Sequence, residues 1–391
     1  DSSTSRGLGD VYKRQHMYDQ DQLAVYDVKT RRIDLLSSKL DRPIAGYQWG
    51  NNDKDIYALV EDDRKQNIYL FDAVSSQNQK IAGDKDVFSS LHINATGMMA
   101  ALYSDPNKPN EIYMIEAGKP RAVTHLNEPF MAKLKKITVS GFESVSSDKT
   151  RVSGILYLSD STATKMPLVL FIHGGPVAQD EFSFDLYRQI LAGAGFAVAA
   201  VNYRGSSGRG LDYCKAINAD WGNKEVKDIV GAADHLIRQG IADADRMGIG
   251  GWSYGGILTN YTIATDNRFK AAVSGAGSSL QLSMYGTDQY VLQYEEELGQ
   301  PWRNKEKWMQ LSYPFFQVEK IRTPTLFMAS QNDFNVPVAG AEQMYQAFKS
   351  SGIPTKLIIY PGQNHGLSVP SYILHRFQSH IDWFRKYLLH D

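Results

Sequence analysis

The stretch Gly251-Trp252-Ser253-Tyr254-Gly255-Gly256 sets one serine among glycines, after the apolar run Met247–Gly250 and before the helical stretch Ile257–Thr265. A serine hydroxyl is a weak nucleophile until it is lifted clear of the backbone and given a base, and a tight strand-to-helix turn does the lifting. Only glycine fits beside so sharp a turn, which also aims the next backbone N–H into the same space. The spacing therefore predicts Ser253 as a nucleophile for acyl transfer. Four histidines follow it: His365, His375, His380 and His390. His365 alone falls in a loop directly after a predicted strand, within Pro361-Gly362-Gln363-Asn364-His365-Gly366, and the other three are read as solvated residues of a terminal helix. Neutral imidazole can take a serine proton and return it to a leaving group near neutral pH, so His365 is the predicted base. The third group is Asp333, in the loop Gln331-Asn332-Asp333-Phe334-Asn335-Val336-Pro337. An oxyanion also needs donors. His173-Gly174-Gly175-Pro176 supplies a loop N–H, assigned to Gly175 with Gly174 beside it, and Tyr254 supplies the other. His173 itself reads equally as a structural histidine.

These residues need a scaffold that brings distant loops to one edge. From about Met131 the sequence supplies it, with paired strands Ile137–Val145 and Arg151–Leu158 leading into short apolar runs that alternate with helical periodicity. The runs Leu168–Ile172, Ala197–Asn202, Met247–Gly250, Ala271–Ser274, Thr325–Ala329 and Lys356–Tyr360 read as core strands. Val226, Ile229, Val230, Ala233 and Ile237 share one helical face, as do Leu374, Phe377, Ile381, Phe384 and Leu388. Such alternation predicts an α/β domain, a mostly parallel sheet with helices on both faces. A nucleophile–acid–base order along the chain, with the serine on a Gly-rich turn, makes it an α/β-hydrolase domain spanning residues 131–391.

Upstream the pattern differs. Leu23–Asp27, Ile68–Asp72 and Ile112–Glu116 recur at a spacing of about 45 residues, with further β-prone stretches at Ile56–Val60 and Met98–Tyr103. Residues 16–130 therefore read as about two to three blades of an incomplete β-propeller, a β-sandwich being the alternative. A propeller needs at least four blades to close, so the chain is expected to be the C-terminal part of a longer protein. The run Asp10-Val11-Tyr12-Lys13-Arg14-Gln15 looks like a translated transposon end, and residues 1–15 are set aside as a non-native leader.

Composition narrows the function. Among 391 residues, 42 Lys+Arg against 43 Asp+Glu give a net charge of -1, so no long-range field gathers nucleic acid or an anionic membrane. No apolar run approaches the roughly 20 residues of a bilayer span. The single cysteine, Cys214, excludes an intrachain disulfide, and no Cys/His spacing suits a structural zinc. Neither a metal nor another cofactor is expected. A cytoplasmic location is favoured, a periplasmic or secreted one staying open, and homo-oligomerisation is left open as well.

The elbow with Trp252 and Tyr254, the His173–Pro176 turn, Asn202-Tyr203-Arg204-Gly205-Ser206-Ser207-Gly208, Asp220-Trp221-Gly222 and the Asp333 and His365 loops together resemble the prolyl oligopeptidase family. Within it the resemblance is to the acylaminoacyl peptidase and dipeptidyl aminopeptidase branch, from roughly Met131 to the C-terminus. It implies a serine peptidase acting on short peptides beneath a propeller cap. A carboxylesterase using the same triad is the alternative, and a non-catalytic interaction module a third reading that an intact triad disfavours. Two departures stand out: Ala329-Ser330 replaces a His-Gly common before the acid loop, and Asn335 stands where many acylaminoacyl peptidases carry Arg. By position, the resemblance makes Asn335 a contact to a substrate carbonyl. It places a specificity pocket in Ser278–Trp302, with Tyr285, Tyr290 and Tyr294, alongside Trp252, as substrate-binding residues or else as core. The run Glu295-Glu296-Glu297 is read as a solvated helix face.

Overall fold

The computed structural model of the protein describes residues 17–83 and 87–389. The expected leader, residues 1–15, and His390 lie outside the described residues.

Strands β1 (Ala24–Asp27) and β2 (Arg32–Leu35) form a hairpin. Two four-stranded antiparallel meanders follow: β3 (Ile44–Trp49), β4 (Asp55–Asp62), β5 (Lys65–Asp72), β6 (Asn78–Ala82), then β7 (Val87–Ile93), β8 (Met99–Asp105), β9 (Lys108–Glu116), β10 (Lys119–Ala122). The two meanders meet at a single parallel pair, Gln66 with Val87. The recurring runs at Ile68 and Ile112 occupy the third strand of each meander, and β1 holds the equivalent place before β2. That is blade architecture. One apolar layer lies between the hairpin and the first meander, with Leu23 and Leu36 against Ile56, Val60 and Phe71, and a second lies between the two meanders, with Leu59 and Ile68 against Phe88, Ala101 and Tyr113.

From Thr138 onward one eight-stranded sheet runs in the order β11-β12-β14-β13-β15-β16-β17-β18. Its members are β11 (Thr138–Val145), β12 (Arg151–Leu158), β13 (Met166–Ile172), β14 (Ala197–Asn202), β15 (Ala242–Trp252), β16 (Ala271–Gly275), β17 (Thr325–Ser330) and β18 (Thr355–Tyr360). β11 and β12 pair antiparallel and β12 meets β14 antiparallel, while β14 through β18 are parallel. The middle strands are mostly apolar, with polar residues confined to their ends, because both of their faces are covered: every residue of β14 and β17 is buried. Helices Lys224–Arg238, Tyr254–Thr265 and Val338–Ser350 pack on one face, and Leu186–Gly193 and Pro370–Leu388 on the other. Among the described residues no helix is long and apolar enough to cross a membrane.

The terminal helix corrects two expectations. Ile381, Phe384 and Leu388 are buried, but Leu374, at the start of the helix on the same stripe, is 69% exposed, while its neighbour Tyr372 packs against the core instead. His380 is not a surface residue. It is buried against Tyr187 and Met328, and burial together with nearby Arg376 pushes its imidazole down to about 3.

The β4–β5 hairpin of the first meander reaches into the α/β unit. The Arg64 guanidinium donates to the carbonyls of Phe142 and Gly154, each at 3.2 Å. The Asp63 N–H donates to Gly208 O at 2.9 Å, and Phe182 N–H donates to Arg64 O at 2.8 Å. Gln179 completes the joint, accepting from Arg64 N–H at 3.0 Å and donating to Lys65 O at 2.9 Å. A blade hairpin thus braces the loop that runs on from Pro176.

Candidate active site

In an open α/β sheet, ligands bind beyond the carboxyl ends of strands where the strand order reverses. Here that point lies between β13 and β15, since β13 leads to β14 on one side and the chain returns to β15 on the other. The two turns expected to carry nucleophile and oxyanion donor leave the carboxyl ends of these two strands, whose last pair is Ile172 with Gly251.

Ser253 sits at φ 63°, ψ -128°, outside the broad helical and extended regions, at the mouth of the helix Tyr254–Thr265. Its N–H donates to Gly275 O at 3.0 Å and its carbonyl accepts from Gly256 and Ile257, so both flanks of the strained residue are fixed. The turn needs glycine where the helix start runs against β13: a Cβ on Gly255 would lie 2.3 Å from Ile172 O. Tyr254 is the first helical residue, so its N–H has no intrahelical acceptor and faces outward as a donor. Across from it, Gly175 has φ 126°, where a Cβ would come 2.7 Å from Val177 N. A Cβ on Gly174 would stand 3.1 Å from Ser253 Cβ, which measures how closely this loop approaches the serine. His173 anchors the loop: it is stacked on Tyr203 and lies 2.9 Å from Ser206 Oγ and 2.7 Å from Gly174 O. Burial lowers its basicity, which fits a neutral structural ring.

Asp333 and His365 come from loops at the ends of adjacent strands β17 and β18. The loops are tied by Asn332 N–H to Gln363 O at 2.8 Å and Gln331 N–H to Tyr360 O at 3.0 Å. Asp333 Oδ1 accepts the N–H groups of Asn335 and Val336 at 2.8 and 2.9 Å, leaving Oδ2 to His365 Nδ1 at 2.7 Å. The carboxylate side chain is fully buried and the imidazole 25% exposed. A carboxylate accepts only, so the proton sits on Nδ1 and Nε2 keeps its lone pair. His365 is drawn toward the elbow by its own backbone: Trp252 Nε1–H donates to His365 O at 2.9 Å.

A cavity opens beside Ser253, lined by Gly175, Tyr254, Tyr290, Tyr294, Asn335 and Asp288 among others. Of the expected pocket residues, Tyr290, Tyr294 and Asn335 line this cavity. Two expected pocket residues do not. Tyr285 turns its hydroxyl to Glu295 and packs edge-on against Trp302 and Trp308. Trp252 lies under the Arg376 guanidinium with its N–H spent on His365, so it positions the histidine loop and does not line the cavity. The Glu295–Glu297 run is not simply solvated either. Glu297 Oε1 accepts from Tyr18, Ala219 and Trp221, and Glu295 accepts from Tyr285.

Two residues escaped the sequence reading. Glu225 is fully buried and accepts from Gly222 N–H at 2.7 Å and from the Tyr254 hydroxyl at 2.8 Å, which fixes the Tyr254 ring. Burial raises its carboxyl to about 7. It stands three residues after Gly222 in the first helical turn, a place where an acidic residue ordinarily reads as a charge on the helix dipole. Asp288 lines the cavity between the aromatic residues that were singled out, and its position among them was the available signal.

A profile of the prolyl oligopeptidase family matches residues 182–391. The chain is 28% identical over 395 residues to the uncharacterized peptidase YuxL of Bacillus subtilis, covering 93% of this chain and 59% of that protein. It is 34% identical over 213 residues to dipeptidyl aminopeptidase BIII of Pseudoxanthomonas mexicana, covering 52% and 31% respectively. The acylaminoacyl peptidase of Pyrococcus horikoshii superposes with a TM-score of 0.87 at 25% identity, over 96% of this chain and 60% of that one. The chain therefore spans well under two thirds of the length of these relatives.

Proposed function

Since the chain belongs to the prolyl oligopeptidase family, we propose that it is a serine peptidase that cleaves short peptides, of dipeptidyl or acylaminoacyl type, through an acyl-enzyme on Ser253. One observation carries the reading: an Asp333–His365 pair at 2.7 Å is drawn by Trp252 to the elbow that holds Ser253, and the cavity beside that serine is lined by Tyr254 and Gly175. Ser253 Oγ adds to the scissile carbonyl while His365 Nε2 takes its proton, and Asp333 stabilises the imidazolium that results. The oxyanion receives the N–H groups of Tyr254 and Gly175, whose backbones are already fixed before substrate arrives. His365 then protonates the leaving amine, and a water repeats the sequence to release the acid and free Ser253. We assign this chemistry to residues 131–391 and read residues 16–130 as propeller blades. Asn335 serves as a donor to a carbonyl of the peptide, with Tyr290 and Tyr294 as cavity walls.

Fluorophosphonate labelling followed by peptide mapping tests the nucleophile, and an adduct located elsewhere than Ser253 overturns the assignment. A comparison of dipeptidyl and acylaminoacyl amides with p-nitrophenyl acetate tests the class. Turnover of the ester alone would make the protein a carboxylesterase.

A further inference from the structure

We propose that Asp288 makes this cavity select a cationic side chain, so that peptides with lysine or arginine donating the scissile carbonyl are the preferred substrates. The inference rests on the serine peptidase reading, which places that carbonyl between Ser253 and the N–H groups of Tyr254 and Gly175. The side chain next to such a carbonyl enters the cavity that shares these residues as lining.

The cavity is built for a stem and a head. Pro176, Trp221, Ile257, Met284 and Val336 give it apolar walls that suit methylene groups. Its remaining polar lining is largely engaged: Ser278 Oγ donates to Gln281 Oε1 at 3.1 Å, and the Gln281 amide lies 3.4 Å from the Tyr261 hydroxyl. Asp288 is the one charged group among the lining residues. Its carboxylate is aimed by two donors, Tyr290 N–H to Oδ1 at 2.8 Å and the Tyr294 hydroxyl to Oδ2 at 2.6 Å. Each oxygen keeps a further lone pair for a ligand. Burial pushes the carboxyl above its ordinary value, and no basic side chain among the described residues lies near enough to offset its charge. A half-desolvated carboxylate without a counter-ion, at the side of an apolar slot, is complementary to an ammonium or guanidinium on an aliphatic stem. A neutral aliphatic side chain fills the walls and leaves that charge uncompensated.

Irreversible phosphonates test this on the 391-residue chain. Two N-acylated dipeptidyl diphenyl phosphonates are compared, one with the lysine analogue and one with norleucine next to phosphorus, and the rate of Ser253 modification is followed by mass spectrometry. The lysine analogue is expected to react at least about tenfold faster, the range of a charge-assisted hydrogen bond. In Asp288→Asn the lysine-to-norleucine ratio should fall to near one. Equal rates in the wild type overturn the proposal whether or not the variant folds, as does a ratio that survives the substitution. Blocking the amino terminus removes the other cation a peptide could offer. A preference seen only with free-amine phosphonates would assign Asp288 to the substrate terminus and also overturn it. Failure of every phosphonate to modify Ser253 would instead refute the peptidase reading beneath it.

Discussion

Replacing Trp252 with Phe removes the indole N–H that holds His365 O at 2.9 Å, and it keeps an aromatic ring beneath the Arg376 guanidinium, now 5.0 Å from the ring centre. The imidazole has two tethers, this one through the backbone and Asp333 Oδ2 at 2.7 Å through the ring. Losing a neutral hydrogen bond costs about 1 kcal/mol net. His365 lies in a loop with its side chain 25% exposed, so water can replace the lost donor and most of the cost falls on alignment. About 1 kcal/mol in the population of the aligned ring corresponds to roughly a fivefold loss of rate. Fluorophosphonate labelling of Ser253 and kcat for a small ester should therefore fall together by about fivefold, with KM little changed. Had Trp252 been a substrate contact, the loss would sit in KM and grow with peptide length. A labelling rate within twofold of wild type, or a loss confined to peptide KM, would refute the positioning role.

Asp333→Asn keeps the shape of the loop but offers His365 a donor, which favours the wrong tautomer; kcat should drop by about 10⁴ with the fold intact. Retention of a tenth of the activity in a steady-state assay would move the role elsewhere. Asn335→Ala should lower kcat/KM for a peptide amide by roughly tenfold and leave p-nitrophenyl acetate hydrolysis nearly unchanged, the worth of one hydrogen bond remote from the bond cleaved. Equal loss on both would mark Asn335 as a support of the Asp333 loop. Glu181, whose carboxyl burial pushes up to about 7, binds its proton more tightly in the folded state than in the unfolded chain. Stability should thus decline as pH rises from about 4.5 to 7. Glu181→Gln should raise the denaturation midpoint at pH 8 and leave it unchanged near pH 4, as followed by circular dichroism.

Much of the scaffold was legible because burial on both faces leaves an unmistakable trace. The run from Leu168 to Ile172 has no polar position, and its short length, ending at the Gly-rich turn His173–Pro176, fits a covered strand better than a helix. The elbow was legible for a related reason, since a backbone forced together leaves glycine as the only option at Gly255. What the sequence concealed was direction. Tyr285, Tyr290 and Tyr294 look alike in a window, yet Tyr285 packs between Trp302 and Trp308 away from the cavity while Tyr290 and Tyr294 line it, Tyr294 with its ring also edge-on to Trp308, and only the path of the segment between β16 and β17 decides which. Glu225 was concealed because its partner Tyr254 lies 29 positions away. His380 was misread because a histidine beside Ile381 can roll to either edge of a helical stripe, and here Tyr187 and Met328 receive it. Leu374 shows the converse: a residue on the stripe can point away from the core while its neighbour Tyr372 meets it.

The left-handed backbone at Ser253 also sets fold and chemistry at odds within a single residue. A side chain held at φ 63°, ψ -128° raises the energy of the folded state by about 1–3 kcal/mol, and the turn persists because β15, the following helix and Gly275 over-determine it. Selection for stability alone would put glycine there. Variants enriched for thermal resistance without regard to turnover would be expected to drift toward that substitution, since alanine disables the hydroxyl while keeping the strain and glycine relieves both. The protein therefore holds, at the residue proposed as its nucleophile, a conformation its own sequence could relax in one step.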